Sequence, residues 1–225
     1  MTRDKKARYI VLFGPPGVGK GTQTKIVSDA VNLPSVSTGD VFRANLSANT
    51  ELGQAAKQYL TAGELVPDDV TIKMVRDYLE QPGYSQGVIL DGFPRTLDQA
   101  EALIQMAVEF EARLNVIFIK VPQEIIVERI SGRVICRACG QVFHQKFNPP
   151  PSPPGNCEFG GQCDFYQRDD DRAEIVSNRI LVYHEQTMPL LKFFENKGLL
   201  DVLDGTQAIE EVTKTVLDIL SGKTS

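Results

Sequence analysis

The stretch "RYIVLFGPPGVGKGT", residues 8–22, constrains the fold more than any other part of the chain. A short apolar run leads into a glycine-rich loop, and a lysine stands where a helix opens. Such a loop can wrap backbone N–H groups and a helix N-terminus around a phosphate. Gly14, Gly19 and Lys20 fit the phosphate-loop pattern of Gly, four free positions, Gly and Lys, which normally closes on Ser or Thr. Gly21 stands where that hydroxyl belongs, and Thr22 follows one position late. Lys20 reaches outer phosphates as a point charge. With no hydroxyl at position 21, Thr22 or water must serve Mg²⁺, which keeps several waters and leans on substrate phosphates. Asp91, closing the run "GVILD", is a candidate anchor for those waters. The alternative for Asp91 is a strand-end carboxylate that caps the next turn.

The runs "GVILDGF", "LNVIFIK" and "LLDVLDG" share the Val/Ile/Leu character of "RYIVLF", with helix-length stretches between them. Continuous apolar runs of this kind suit parallel strands covered on both faces, and the alternation predicts an α/β sheet with crossover helices. The segment "DDRAEIVSNRILVYHEQTMPLLKFFEN" reads as one long amphipathic helix. Pro122 reads as the first residue of the helix "PQEIIVERI", and Thr96 with Gln99 as a capping box. Two stretches break the rhythm. Residues 38–66 read as short helices with no strand, and residues 132–170 are rich in Gly, Pro, Cys and polar groups. Both are expected to be insertions on a core made of residues 1–37, 67–131 and 171–225.

Bulk properties narrow the function. A chain that is 42% hydrophobic and 24% charged is ordinary for a soluble globular protein. The net charge of −5 gives no footprint for nucleic acid or an anionic membrane. No apolar run approaches the ~20 residues that span a bilayer. The apolar run at residues 9–13 is too short for a signal peptide, so a cytoplasmic protein is expected. The four cysteines lie together between Cys136 and Cys163. In that setting a metal is a better first reading than disulfides. His144 and His184 have no nucleophile in a recognisable arrangement, and packing is their expected role.

In order along the chain come "GPPGVGKGT", "STGD", "LVPDD", "DGFPRTLDQA", "ERISGR" and "QRDDD". This set, from Val11 to near the C-terminus, resembles the adenylate kinase family, in its long-lid, zinc-binding bacterial form. The resemblance implies a P-loop kinase core with a five-stranded parallel sheet, a helical NMP-binding insertion and a zinc-knuckle lid. It implies the reversible reaction ATP + AMP = 2 ADP by a monomer using Mg²⁺, with neither nucleic acid nor membrane as partner. A kinase taking GTP as donor or UMP/CMP as acceptor is the alternative within the class. A nucleotide switch or zinc-knuckle nucleic-acid adaptor is the alternative outside it, and the acidic net charge opposes that one.

By resemblance the ATP side comprises Gly17, Val18, Gly19, Lys20, Gly21, Thr22, Arg129, Arg133, Val142, Phe143 and Gln207. The family often has Tyr where Phe143 stands. The AMP side comprises Thr38, Arg43, Glu64, Leu65, Val66, Gly92, Phe93, Pro94, Arg95, Gln99, Arg168 and Arg179. Lys20, Arg95, Arg129, Arg168 and Arg179 are the implied catalytic cations. Arg129 and Arg133 share a helix face if their helix continues. Arg168 and Arg179, eleven positions apart, fall nearly in phase across the start of the long helix. Gln99 is implied to read the adenine edge of AMP, although the same amide is wanted by the capping box.

Cys136 and Cys139 have the C-x₂-C spacing of a structural zinc knuckle. The second half departs from the family, with five residues between Cys157 and Cys163 where two are usual. Either four thiolates converge with extra reach at Gly160 and Gly161, or Asp164 or Glu158 replaces one of them. A lid too small for its own core would need such a staple.

Overall fold

The computed structural model describes residues 6–151, 157 and 162–222. Its centre is a five-stranded sheet built from β1 (Arg8–Phe13), β2 (Ser35–Ser37), β3 (Gly87–Asp91), β4 (Arg113–Lys120) and the late strand Leu200–Asp204. The order is β2, β3, β1, β4 and the late strand, and every pairing is parallel. Alternate residues of the central strands feed two separate cores, as a period of two requires. Tyr9, Val11, Phe13, Val88, Leu90 and Val116 pack on one face. They meet α4 (Asp68–Leu79), α5 (Leu97–Glu109) and α8 (Pro189–Asn196) there. Ile10, Leu12, Ile89, Ile117 and Ile119 pack on the other face, against α1 (Lys20–Val31), α6 (Gln123–Ser131), α7 (Ala173–Val182) and α9 (Ile209–Ser221). Both faces are covered, which is why these strands are apolar throughout.

Two insertions leave this frame. Between β2 and α4 lie only α2 (Thr38–Ser47) and α3 (Glu51–Ala62). After α6 the chain forms a small antiparallel sheet of β5 (Arg133–Cys136), β6 (Val142–His144) and β7 (Phe165–Tyr166), with β5 in the middle. Phe143 and Phe165 meet edge to face there, 5.3 Å between centroids. The late strand of the main sheet is therefore β8.

Several local expectations are corrected. Pro122 is the N-cap of α6 rather than its first residue, with an extended ψ of 146°. The helix stops at Ser131 because Arg133 pairs with His144 in the small sheet, so Arg129 and Arg133 do not share a helix face. The expected long helix is broken. Pro189 cannot donate a backbone hydrogen bond, and the chain before it widens into a π turn at Tyr183–Thr187, closed by Met188 N–H on Tyr183 O at 2.8 Å. Because α7 begins at Ala173, Arg168 lies off the helix that carries Arg179. Strand β2, three residues of which two are serine, carries no apolar run by which to be found. Among the described residues no helix is long and apolar enough to cross a membrane.

The pair α2–α3 is tightly built at Gly53, where a Cβ would fall 2.3 Å from the carbonyl carbon and oxygen of Asn45. Alanine favours a helix over glycine by about 1 kcal/mol, whereas forcing a methyl into packed backbone costs about 1–3 kcal/mol. We therefore expect Gly53→Ala to lower stability in a urea titration despite its better helix propensity. A midpoint equal to or above that of the parent would show that the contact is slack.

Candidate active site

The carboxyl ends of β1, β3 and β2 lie side by side, Leu12 and Ser37 each in register with Asp91. In open α/β sheets ligands bind in the crevice outside these ends. The loop after β1 occupies this place. Gly17 has φ 79°, and a Cβ there would fall 2.4 Å from Ile130 Cγ1 of α6, so only glycine lets the loop pass so close. Gly19, also at positive φ, is the N-cap of α1 and has no side chain to satisfy the first helical N–H groups. Val18 is buried, while Thr22 is only partly so.

Lys20 folds back over this loop, donating to Gly14 O at 2.7 Å and Pro15 O at 2.9 Å. Burial drops its ammonium to about 7; Asp91 opposes the drop, and Arg95, Arg179 and Arg133 add to it. Burial likewise raises the Asp91 carboxyl, against the pull of Lys20 and Arg95. A Cβ on Gly21 would stand 3.6 Å from Asp91 Oδ2. The position that normally carries a hydroxyl thus faces a carboxylate directly.

Beyond Lys20 opens a cleft walled by the start of α2, residues 63–66, Gly92, Arg95, Gln99 and Arg179. Nine of the twelve residues assigned to the AMP side line it: Thr38, Arg43, Glu64, Leu65, Val66, Gly92, Arg95, Gln99 and Arg179. Phe93 and Pro94 are buried beneath. Gly92 O accepts from Thr38 Oγ1 at 2.9 Å and from Arg95 Nε at 2.8 Å. Gln99 is 2% exposed; its Oε1 accepts from Arg95 N–H at 2.8 Å and its Nε2 donates to Asp68 Oδ1 at 2.7 Å. The capping box is therefore half formed. Thr96 Oγ1 caps Gln99 N–H at 3.2 Å, but the Gln99 side chain reaches one residue further back, to Arg95.

The other arginines are held by carboxylates that the sequence reading passed over. Asp40 binds Arg43 at 2.6 Å and Arg168 at 3.0 Å. Asp170 binds Arg179 at 3.1 Å and reaches Arg43 at 3.6 Å. The fully buried Asp171 carboxylate receives the Arg133 fork, including Nε at 2.8 Å, and Arg179 at 3.3 Å. Burial would raise Asp40 and Asp170, but the arginines outweigh it and hold both below the usual carboxylate range. Burial lowers Arg179 to about 10, with Arg133 and Arg95 adding to the effect. The signal for these carboxylates was present, since all three lie inside "STGD" and "QRDDD".

Arg129 is parked apart, donating to Val18 O at 3.3 Å and Gly205 O at 3.0 Å. Its guanidinium lies 5.9 Å from the ring of Phe147, a residue the sequence did not single out. Val142 and Phe143 belong to β6, and Gln207 is exposed in the turn after β8. His144 accepts at Nδ1 from Lys146 N–H and Phe147 N–H, a turn-holding role. His184 lies 3.0 Å from Met188 Sδ on the surface of the π turn.

The cysteine window forms a cluster. The thiols of Cys136, Cys139 and Cys157 lie within 4.8 Å of one another. Backbone N–H groups of Cys139 and Ala138 lower the Cys136 thiol to about 6, so the knuckle favours a thiolate. Cys163 lies beside Cys136 and Cys157; burial and then its contact with Cys136 raise its thiol to about 11. Asp164 is turned away, paired with Arg137 at 3.0 Å and largely exposed. Glu158, Gly160 and Gly161 lie outside the described residues. Three thiols at close quarters suit Zn²⁺, and Cys163, which interacts with Cys136 and Cys157 but lies outside that 4.8 Å group, is not brought into the set.

Comparison with known proteins agrees with this geometry. The family model described as adenylate kinase matches residues 12–199. An adenylate kinase of Clostridium perfringens (strain SM101) is 51% identical over 212 residues, 94% of this chain and 97% of that protein. One from Symbiobacterium thermophilum is 48% identical over 92% of this chain and 96% of its own length. One from the archaeon Methanosarcina mazei is 47% identical over 94% and 98%. With a family match across most of its length and relatives this similar end to end, the chain belongs to the adenylate kinase family.

Proposed function

We propose that the cleft catalyses reversible transfer of a phosphoryl group between MgATP and AMP, giving two ADP. One observation carries this reading: the lysine of a glycine loop lies within electrostatic reach of Arg95 and Arg179, and those two arginines line a cleft together with the buried amide of Gln99. Phosphoryl transfer asks little covalent chemistry of a protein. Its transition state spreads negative charge over several oxygens, and alignment with cationic stabilisation does the rest.

The roles of the individual residues are those the family resemblance implies. Loop amides at Gly17, Val18, Gly19, Gly21 and Thr22, with Lys20, hold the outer phosphates of ATP. Arg129 and Arg133 hold the same chain of phosphates from the lid side. Val142, Phe143 and Gln207 border the donor base. Arg43 and Arg95 grip the AMP phosphate, and Arg168 and Arg179 flank the group in flight. Thr38, Glu64, Leu65, Val66 and Gln99 enclose the acceptor base. Bound with ATP, Mg²⁺ would neutralise phosphate charge, and Asp91 is the carboxylate placed to hold its waters. Residues 38–66 then serve as the NMP-binding insertion and residues 132–170 as a lid on the remaining core. Zn²⁺ on Cys136, Cys139, Cys157 and Cys163 would staple that lid. Free cysteines suit a reducing, cytoplasmic setting. Every group invoked comes from one chain, so a monomer suffices.

In a coupled assay of ADP formation from ATP and AMP, the folded protein should turn over and Lys20→Met should lose about 10²–10³-fold in kcat with its melting curve kept. No activity in the parent would overturn the reading. The depressed Lys20 adds a pH signature. Phosphate favours the ammonium, so binding raises a pKa that starts at about 7. Above that pH nucleotide binding must take up a proton, and affinity should fall as pH rises towards 9. Calorimetry at pH 8 in buffers of different ionisation enthalpy should report uptake of about one proton, lost in Lys20→Met.

For the knuckle, Cys163→Ser should lower zinc content and the unfolding temperature, whereas Asp164→Ala should leave both near the parent value. The reverse result would make the carboxylate the fourth ligand.

A further inference from the structure

We propose that Asp68 makes the acceptor pocket select adenine over guanine, by fixing which end of the Gln99 amide donates. The proposal rests on the reading of Gln99 as the residue that meets the acceptor base.

A glutamine amide has one acceptor oxygen and one NH₂ donor, and it can serve opposite partners by turning over. Adenine offers an amino donor at position 6 beside the acceptor N1. Guanine offers the reverse order, a carbonyl acceptor beside an N–H donor. An amide free to turn could therefore satisfy either purine. Only one whose ends are fixed can discriminate.

Both ends of Gln99 are fixed by groups with no alternative role. Arg95 N–H can only donate, so the atom facing it at 2.8 Å must be Oε1. The Asp68 carboxylate can only accept, so the atom facing it at 2.7 Å must be Nε2. Asp68 is itself held. Thr96 Oγ1 accepts from Gln99 N–H at 3.2 Å, which leaves its one proton for Asp68 Oδ2 at 2.8 Å. The chain from Gln99 N–H through Thr96 and Asp68 to Gln99 Nε2 thus closes on the side chain it began under. After these bonds the amide keeps one N–H and one lone pair of its oxygen, in a fixed order, beside the cleft. Asp68 and Thr96 are the replaceable side chains of this lock that do not themselves line the cleft, and of the two only Asp68 touches the amide of Gln99.

The test compares AMP and GMP as acceptors at saturating ATP. Asp68→Ala should raise KM for AMP and raise the GMP-to-AMP ratio of kcat/KM about tenfold, with KM for ATP unmoved, the loss expected for one hydrogen bond to a charged group. Asp68→Asn keeps the size but can turn its own amide and donate to Gln99, so it too should raise the ratio, which separates the accept-only carboxylate from mere bulk. Asp68→Ser, too short to reach the amide, reports the same ratio should the alanine variant fail to fold. An unchanged ratio in Asp68→Ala, Asp68→Ser or Asp68→Asn overturns the lock. Gln99→Leu separates this failure from a deeper one. If it raises KM for AMP while Asp68→Ala leaves the ratio alone, only the lock fails. If it leaves KM for AMP unchanged, the reading of Gln99 fails too.

Discussion

A phosphate-transfer site must keep cations close together and away from water before any phosphate arrives, and the rest of this structure answers to that constraint. Bringing one unpaired ion into a protein interior costs several kcal/mol. Here Arg43, Arg133, Arg168 and Arg179 share Asp40, Asp170 and Asp171, while Lys20 and Asp91 lie close enough for each charge to favour the other. The carboxylates do more than neutralise. Asp40 ties the start of α2 to Arg168, and Asp170 ties Arg43 to α7, so the two insertions and the core meet through shared ions. In the proposed reaction an incoming phosphate would replace carboxylate partners that already lie in place, and the guanidiniums would not have to be gathered from solvent.

The fold supplies this cluster through short, strictly bounded elements. Gly132 and the pairing of Arg133 with His144 end α6 where Arg133 must turn towards Asp171. The π turn before Pro189 places Thr187 inward, 5% exposed, where its hydroxyl donates to Arg95 O at 2.8 Å. A helix that ran straight through would shift the phase of that hydroxyl by part of a turn.

Much of this was legible in the sequence. Strands β1, β3 and β4 stood out because a sheet covered on both faces needs unbroken apolar runs, the edge strand β8 stood out only by its leucines and valine, and the loop stood out because its glycines are forced. Two kinds of feature were hidden. Phase arguments failed for Arg129 with Arg133 and for Arg168 with Arg179, because they assumed helices that tertiary structure ends elsewhere. The acidic partners Asp40, Asp68, Asp170 and Asp171 lay inside motifs already noticed, but attention to phosphate chemistry favours cations. What balances a buried cation is set by three-dimensional proximity, which spacing along the chain does not carry.

The same logic links the two ends of the acceptor pocket. Arg95, read as a phosphate ligand, has its backbone N–H on the Gln99 oxygen, its carbonyl on Thr187 and its Nε on Gly92 O. Its backbone is thus held by the very amide read as meeting the base. A base that pulls Gln99 out of place must also loosen the N–H anchor of Arg95, the same residue whose guanidinium is proposed to align the phosphate. Because misalignment of the order of 1 Å can cost ~10²-fold in rate, a poorly matched base would be penalised in turnover as well as in binding. On the proposed roles, base selection and phosphate alignment in this pocket would be two readouts of one hydrogen-bonded unit.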